Sequence, residues 1–163
     1  NLGVLYQRLG MLDQAGPEFD REIALTPREP WSYENRGTVW LDQGNADSAI
    51  AMFRKALALN PNLPLSLGGL GKAYVRKGEP ALAITYLKRA VAIRSDSANL
   101  HYQLGQAYLK AGRRDAANQE LAEAGRLQTE ARSEQTEKMT GMASKPEVHG
   151  KLPAPQAPQT APQ

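Results

Sequence analysis

The sequence predicts an all-α protein built from a short array of antiparallel helix pairs. A pair of glycines enclosing an aromatic residue recurs four times, as GVLYQRLG, GTVWLDQG, GKAYVRKG and GQAYLKAG, and the copies start 34 residues apart. Apolar residues on both sides of the second glycine recur at three- and four-residue steps, which is the period of an α-helix. No stretch has the alternating pattern of a strand. A fixed period of this length is typical of repeat architectures, in which each unit packs on its neighbours.

Each copy is predicted to form a helix, a tight turn, a second helix and a connecting turn. In the third copy, Leu67, Leu70 and Tyr74 share one face of the first helix, Gly78 ends that helix and Pro80 starts the second. Glycine tolerates the positive φ that closes a helix, and proline is tolerated in a first turn. The first glycine of each copy is expected to let the paired helices approach closely. Its expected counterpart is the alanine that follows twelve residues later.

The repeated set of Gly, aromatic, Gly, Ala, Phe or Leu, Ala and Pro closely resembles the tetratricopeptide repeat. The segment NADSAIAMFRKALALNP, Asn45–Pro61, is nearly a consensus second helix of that family. The resemblance implies a right-handed α-solenoid whose first helices line a concave groove. It covers residues 1–131, as a partial repeat and three fuller ones: 1–29, 30–63, 64–97 and 98–131.

Two departures from the family pattern lie in the first two copies. Arg36 stands where leucine is usual, and its stem is expected to lie on the core while its charged end reaches solvent. Gly16 and Pro17 fall inside the expected second helix of the first copy. Because proline inside a helix costs about 3 kcal/mol, this helix is predicted to start late, with Pro17 in its first turn. The first copy also lacks its first five residues, which suggests a fragment of a longer array.

The composition changes after the fourth copy. Residues 132–139 favour a helix but are polar on every side, which predicts a helical extension that caps the array. Residues 140–163 contain five prolines and no apolar period. This composition predicts a disordered Pro/Gln-rich tail.

Composition and spacing argue against several classes of function. The absence of cysteine excludes disulfides and cysteine-ligated metals, and the formal net charge of +3 is too small and too scattered for a dedicated nucleic-acid surface. No apolar run approaches the 18 residues of a membrane-spanning helix. His101 and His149 have no nucleophile or carboxylate at a spacing that implies catalysis, and His101 is expected to be a packing residue. No catalytic residue, cofactor site or metal site is therefore predicted, and the localisation cannot be inferred.

In the family that the sequence resembles, the first helices bind an extended peptide or a partner's helix. Carried over by repeat position, the resemblance implies a groove formed by Arg8, Trp31, Glu34, Asn35, Thr38, Asp42, Leu65, Lys72, Arg76, Asn99, Tyr102, Gln106 and Lys110. Four of these residues are cations and two are anions, and Trp31, Leu65 and Tyr102 are apolar anchors. The groove is therefore expected to prefer acidic segments that carry large apolar residues. Gly68 and Gly69 are expected to leave a shallow spot where a ligand backbone approaches closely.

The carboxylate clamp of some family members is not supported, because Asn35 matches its place but Leu65 and Gly69 occupy two other places. The expected function is a non-catalytic protein–protein interaction scaffold. The alternative is an accessory or regulatory region of a larger enzyme, since such arrays also occur fused to transferases, peptidases and kinases. Self-association is a third hypothesis.

Overall fold

The computed structural model describes residues 1–143, and all regular elements in this range are α-helices. Each predicted repeat contributes two helices, so the predicted all-α array of helix pairs is confirmed. In chain order, the helices are α1 (Leu2–Arg8), α2 (Leu12–Leu25), α3 (Pro30–Asp42), α4 (Ala46–Leu59), α5 (Pro64–Arg76), α6 (Pro80–Ile93), α7 (Ala98–Lys110) and α8 (Arg114–Ala143).

The chain divides into two compact units, Asn1–Glu130 and Ala131–Gln163. In the first unit, each of α1 to α6 packs on the next helix, and α3 also packs on α5 and α5 on α7. Gly105 of α7 lies against Leu121 of α8. The first helices of the second, third and fourth repeats therefore lie side by side. We call the surface formed by α3, α5 and α7 the first-helix face. In the second unit, residues 131–140 belong to α8 and are exposed to solvent.

The last helix is longer than the sequence predicted. It continues through residues 132–139 and ends at Ala143, whereas the tail was expected to begin at residue 140. The hydroxyl of Thr140 donates to the carbonyl of Thr136 at 3.0 Å, so the threonine satisfies its own polar group within the helix. The remainder of the predicted tail, residues 144–163, lies outside the described residues.

The turn inside each repeat follows the predicted glycine chemistry. Gly78 has a φ of +75°, and equivalent positive values occur at Gly10, Gly44 and Gly112. The N–H of Gly78 donates to the Val75 carbonyl at 3.1 Å, and the N–H of Glu79 donates to the Tyr74 carbonyl at 2.9 Å. These two bonds satisfy carbonyls that the end of α5 would otherwise leave unpaired.

The close approach of paired helices differs from the prediction in one respect. A Cβ added at Gly71 would overlap Leu87, and Ala83 is not among its nearest neighbours. The large side chain sixteen residues later also meets the first glycine in the other repeats, in the pairs Gly3–Phe19, Gly37–Phe53 and Gly105–Leu121. The nearest contact of Gly71 is therefore Leu87 rather than the predicted counterpart Ala83, although in the fourth repeat the carbonyl oxygen of the equivalent alanine, Ala117, also lies 3.3 Å from a Cβ placed at Gly105. The glycine makes room for a large side chain that reaches across from the second helix.

The second helix of the first repeat begins earlier than predicted. It starts at Leu12 and contains Pro17 in its second turn, so the expected late start is wrong. Two N–H groups, those of Gln14 and Ala15, donate to the Met11 carbonyl at 3.1 and 2.9 Å and close the first turn. Ala15 is fully buried, and Leu12 packs against the same small core cluster. These core contacts hold the first turn despite the cost of an internal proline.

Arg36 does not reach free solvent as predicted. Its side chain is 9% exposed, and it binds both carboxylate oxygens of Asp20, at 2.9 Å from Nε and 3.1 Å from Nη2. The guanidinium carbon lies 4.0 Å from the centre of the Trp40 ring. A buried guanidinium needs a charged partner, and Asp20 supplies one from the preceding repeat. Gly16 is part of the same arrangement, because a Cβ there would lie 2.8 Å from Arg36 Nη1.

Candidate functional site

The residues predicted to bind a partner lie on the first helices of the four repeats. All except Glu34 are exposed or half-buried. The three predicted apolar anchors are well exposed: Trp31 by 60%, Leu65 by 56% and Tyr102 by 53%. Large apolar side chains at this exposure provide surface that a partner can cover.

Glu34 is the exception among the predicted residues, and its carboxylate is not on the surface. It is 1% exposed, and the hydroxyl of Ser66 donates to Glu34 Oε2 at 2.6 Å. Burial raises the pKa of Glu34 above its ordinary value of 4.5, and the Ser66 hydrogen bond opposes this shift less strongly. The close packing of α3 on α5 encloses the carboxyl group, so Glu34 is corrected to an interhelix packing residue.

The first-helix face contains a cavity of about 280 Å³, which we call the Gly68–Gly69 cavity. It brings together five of the predicted residues: Thr38, Asp42, Leu65, Lys72 and Asn99. The remainder of the lining comes from Leu41, Phe53, Pro64, Gly68, Gly69, Arg94, Ser97, Leu100 and Gln103. The shallow spot expected at the two glycines is therefore part of a depression that is open to solvent.

The two glycines give this cavity an apolar floor. A Cβ at Gly69 would overlap the ring of Phe53, which reaches the cavity from α4. A Cβ at Gly68 would lie 2.9 Å from Leu100 Cδ2, which comes from α7. Because neither glycine has a side chain, Phe53 and Leu100 lie directly against the backbone of α5. Both side chains are buried, at 1% and 8% exposure, so the floor is part of the packed core.

One wall of the cavity is polar. The amide of Gln103 donates from Nε2 to Asn99 Oδ1 at 3.1 Å. Gln103 Oε1 is buried, and no hydrogen-bond partner for it occurs among residues 1–143. The lining also includes Arg94, which is ion-paired with Asp96 at 3.0 Å.

Some lining residues were not predicted from the sequence. Phe53 lies on a second helix, and Arg94 and Ser97 lie in or beside the turn between two repeats. The carry-over by repeat position considered first helices alone. The two adjacent glycines in α5 were the available signal, since missing side chains expose whatever packs behind them.

The other predicted residues lie outside the Gly68–Gly69 cavity. Tyr102 lines a second cavity of about 590 Å³ with Asn99 and residues of α8. Arg76 Nη1 donates to the Leu41 carbonyl at the end of α3, so part of this guanidinium already bonds within the fold rather than facing a partner. Neither cavity is lined by the remaining predicted residues, Arg8, Trp31, Asn35, Gln106 and Lys110.

His101 is a buried packing residue, as predicted, with an exposure of 8%. Its Nδ1 lies 2.7 Å from Glu120 Oε2, and its Nε2 lies 3.1 Å from the Ser95 carbonyl oxygen. The ring therefore links α7 to α8 and to the preceding turn. His149 lies outside the described residues.

Two further properties of residues 1–143 bear on function. In this part of the chain, no cluster of three or more His, Asp or Glu side chains is placed to hold a metal ion. None of its helices combines the length and apolar character that crossing a membrane requires.

The sequence matches two family models. One, described as a TPR repeat, matches residues 37–78 and 71–112, and another, described as a tetratricopeptide repeat, matches residues 98–128. Together the matches run from residue 37 to residue 128, which is more than half of the 163 residues. No curated protein matches the sequence.

Several solved structures have a similar fold. The crystal structure of MamA is 23% identical with a TM-score of 0.73, over 81% of this chain and 77% of that one. MamA from Desulfovibrio magneticus RS-1, beginning at its residue 41, is 20% identical with a TM-score of 0.72, over 78% and 72%. TTC0263, a thermophilic TPR protein of Thermus thermophilus, is 22% identical with a TM-score of 0.71, over 87% and 78%. At these identities the likeness concerns the fold.

Proposed function

Because this chain belongs to the tetratricopeptide repeat family, whose repeats typically form non-catalytic protein-interaction modules, we propose that it binds a segment of a partner protein on its first-helix face. The main support is the Gly68–Gly69 cavity, which gathers five of the predicted residues around an apolar floor. A depression with a packed floor and a polar rim is the usual form of a site that anchors a side chain of a partner.

The charges of the predicted residues favour an acidic partner. With Glu34 buried, the exposed charges among them are four cations, namely Arg8, Lys72, Arg76 and Lys110, and one anion, Asp42. Exposed charges are screened within about 10 Å at 0.1 M salt, so they are expected to act mainly on the association rate and its salt dependence. The apolar anchors are expected to contribute more of the affinity.

Affinity capture with the full chain tests this proposal when the wild type is compared with two single variants, each of which reverses the charge of one lysine. Lys72→Glu reverses a cation of the cavity lining, and Lys88→Glu makes the same change at an exposed position on α6, away from that lining. Lys72 is a cleaner target than Arg76, whose guanidinium also bonds to the end of α3.

Proteins that bind directly to the wild type and to Lys88→Glu, but several-fold more weakly to Lys72→Glu at low salt, would support binding on the first-helix face. Partners that are lost with Lys88→Glu and retained with Lys72→Glu would place the binding surface elsewhere. The alternative, an accessory role within a larger enzyme, stays a prediction. No feature of residues 1–143 favours it over the interaction role.

A further inference from the structure

The Gly68–Gly69 cavity lies where one repeat differs from its neighbours at two adjacent positions. The positions occupied by Gly68 and Gly69 in α5 correspond to Glu34 and Asn35 in α3, and to Tyr102 and Gln103 in α7. Of these three helices, α5 alone lacks a side chain at both positions, and Phe53 and Leu100 pack against its backbone there and form part of the cavity lining. We propose that the cavity is a specificity pocket for one aliphatic side chain of an extended, acidic segment of a partner protein. This inference rests on the proposed function of the first-helix face.

The floor of the cavity suits an aliphatic side chain, and its volume can admit one together with adjacent backbone. This volume, about 280 Å³, lies just below the range of about 300–1,000 Å³ that is usual for small-molecule and cofactor sites. The floor consists of Leu41, Phe53 and Leu100, which are all at least nine-tenths buried. A floor that is already ordered loses little conformational entropy when a ligand binds, which favours affinity.

The orphan acceptor in the wall favours an extended segment over a helical one. Gln103 Oε1 has no donor within residues 1–143, and buried unpaired acceptors are unfavourable. The oxygen is covered in this conformation, so the Gln103 side chain, which lines the cavity, must turn before a main-chain N–H group of a ligand can supply that donor. In a helix, N–H groups beyond the first turn are already bonded to carbonyls, whereas an extended segment keeps them available.

The charges in the lining favour an acidic residue next to the aliphatic one. Lys72 forms no ion pair with any described residue, whereas Arg94 is paired with Asp96. Asp42, on α3, is the one carboxylate of the lining. A ligand carboxylate is therefore expected on the α5 side, beside Lys72, where an unpaired ammonium group is available.

A random peptide library displayed on phage, selected against the full chain, provides the probe. We expect the selected peptides to share one Leu, Ile or Val with Asp or Glu close by. A selected peptide is then synthesised with a fluorophore, and its dissociation constant is measured by fluorescence anisotropy against the wild type and two matched pairs of variants. The circular dichroism melt of each variant verifies that it is folded.

The first pair of variants fills the pocket. Leu65→Trp places a bulky indole ring in the lining. Residue 65 is 56% exposed, so the fold should tolerate this change. Leu82→Trp makes the same change near the start of α6, at a residue that is 42% exposed and does not line the cavity. We expect Leu65→Trp to weaken binding by about tenfold or more and Leu82→Trp to leave it unchanged.

The second pair reverses a charge. Lys72→Glu should weaken binding by roughly two- to fivefold at low salt and by less at high salt, because a single exposed charge pair contributes little. Lys88→Glu should have no such effect. A selected consensus without an aliphatic residue, or one rich in Lys and Arg, would overturn the proposal.

The variants also separate failure of the pocket from failure of the proposed function. If the peptides lose affinity with Trp31→Ala or Tyr102→Ala but not with Leu65→Trp, the first-helix face binds a partner and the pocket assignment is wrong. If no variant of this face weakens the peptides, both proposals are wrong.

Two other occupants of the cavity give different results. Displacement of the probe by a synthetic peptide of residues 144–163 would make the occupant a segment of this chain. A dimer in light scattering that Leu65→Trp dissociates would make it a second copy. Either result would overturn the assignment to a partner protein, and we expect neither.

Discussion

Replacement of glycine by alanine should have opposite effects at two helical positions of this protein. Gly125 lies in α8 with no heavy atom within 4 Å of the place that a Cβ would take. Alanine is favoured over glycine inside a helix by about 1 kcal/mol. Gly125→Ala should therefore raise the free energy of unfolding by roughly 0.5–1 kcal/mol.

Gly71→Ala gains the same helix propensity but should lower stability. Its Cβ would overlap Leu87 at Cγ, a branch atom that cannot move aside by a simple rotation of the chain end. Leu87 is fully buried, so α5 and α6 must separate to accommodate the methyl group. Overpacking of this kind costs about 1–3 kcal/mol. The overlap with Leu87 Cγ is severe, so the upper part of this range applies. Subtraction of about 1 kcal/mol of propensity gain from about 2–3 kcal/mol leaves a net loss of about 1–2 kcal/mol.

Thermal and urea unfolding followed by circular dichroism measures both changes. One kcal/mol should correspond to a shift of the melting temperature by roughly 3–5 °C in a domain of this size. Repeat arrays can deviate from two-state unfolding, so equal urea m-values for the variants and the wild type are the control. A melting temperature of Gly71→Ala at or above that of the wild type would refute the packing of Leu87 against the α5 backbone.

Three further substitutions test other contacts. Ala83→Leu should cost about 1–3 kcal/mol because Ala83 is fully buried, and exposed Lys88→Leu is the neutral control in the same urea titration. Gly78→Ala should cost about 1–2 kcal/mol from its positive φ alone, since its Cβ would meet nothing, and a loss below 0.5 kcal/mol in urea unfolding would contradict this strain. Because burial raises the pKa of Glu34 in the folded state, protonation of its carboxyl group stabilises the folded protein. This stabilisation is complete below the unfolded pKa, near 4.5, and is lost as the pH rises through the folded pKa. Glu34→Gln should therefore be more stable than the wild type at neutral pH, and a lower urea midpoint there would contradict the assignment.

The sequence predicted the helix pairs and the turn chemistry because both depend on local signals. The glycine that ends each first helix and the period of the apolar residues are readable within one repeat. The partner of Gly71 was not readable in this way. Ala83 and Leu87 both follow at helical spacing, and only the interhelix distance shows which side chain reaches the glycine.

The errors at Pro17, Arg36 and Glu34 have a common cause, since each depends on a residue of another helix. Pro17 is tolerated because the turn before it packs in the core, and Arg36 is buried because Asp20 comes from the preceding repeat. Glu34 looked like a groove residue because its position in the repeat usually faces a ligand. Ser66, thirty-two residues later, encloses it instead.

The pocket floor couples ligand binding to the stability of the array. The ring of Phe53 lies against the backbones of both Gly37 in α3 and Gly69 in α5, because a Cβ at either glycine would overlap it. Phe53→Ala would therefore disturb both the core and the pocket, so it cannot separate binding from folding, whereas the exposed Leu65 can. An aliphatic side chain in the cavity adds apolar contacts to the lining of which this ring is part, and it binds the folded state alone. A selected peptide at a hundred times its Kd should thus raise the free energy of unfolding by about 2.7 kcal/mol. The same peptide at the same concentration should give a much smaller increase with Leu65→Trp. Equal stabilisation of the two proteins would mean that the peptide binds away from the floor formed by Phe53.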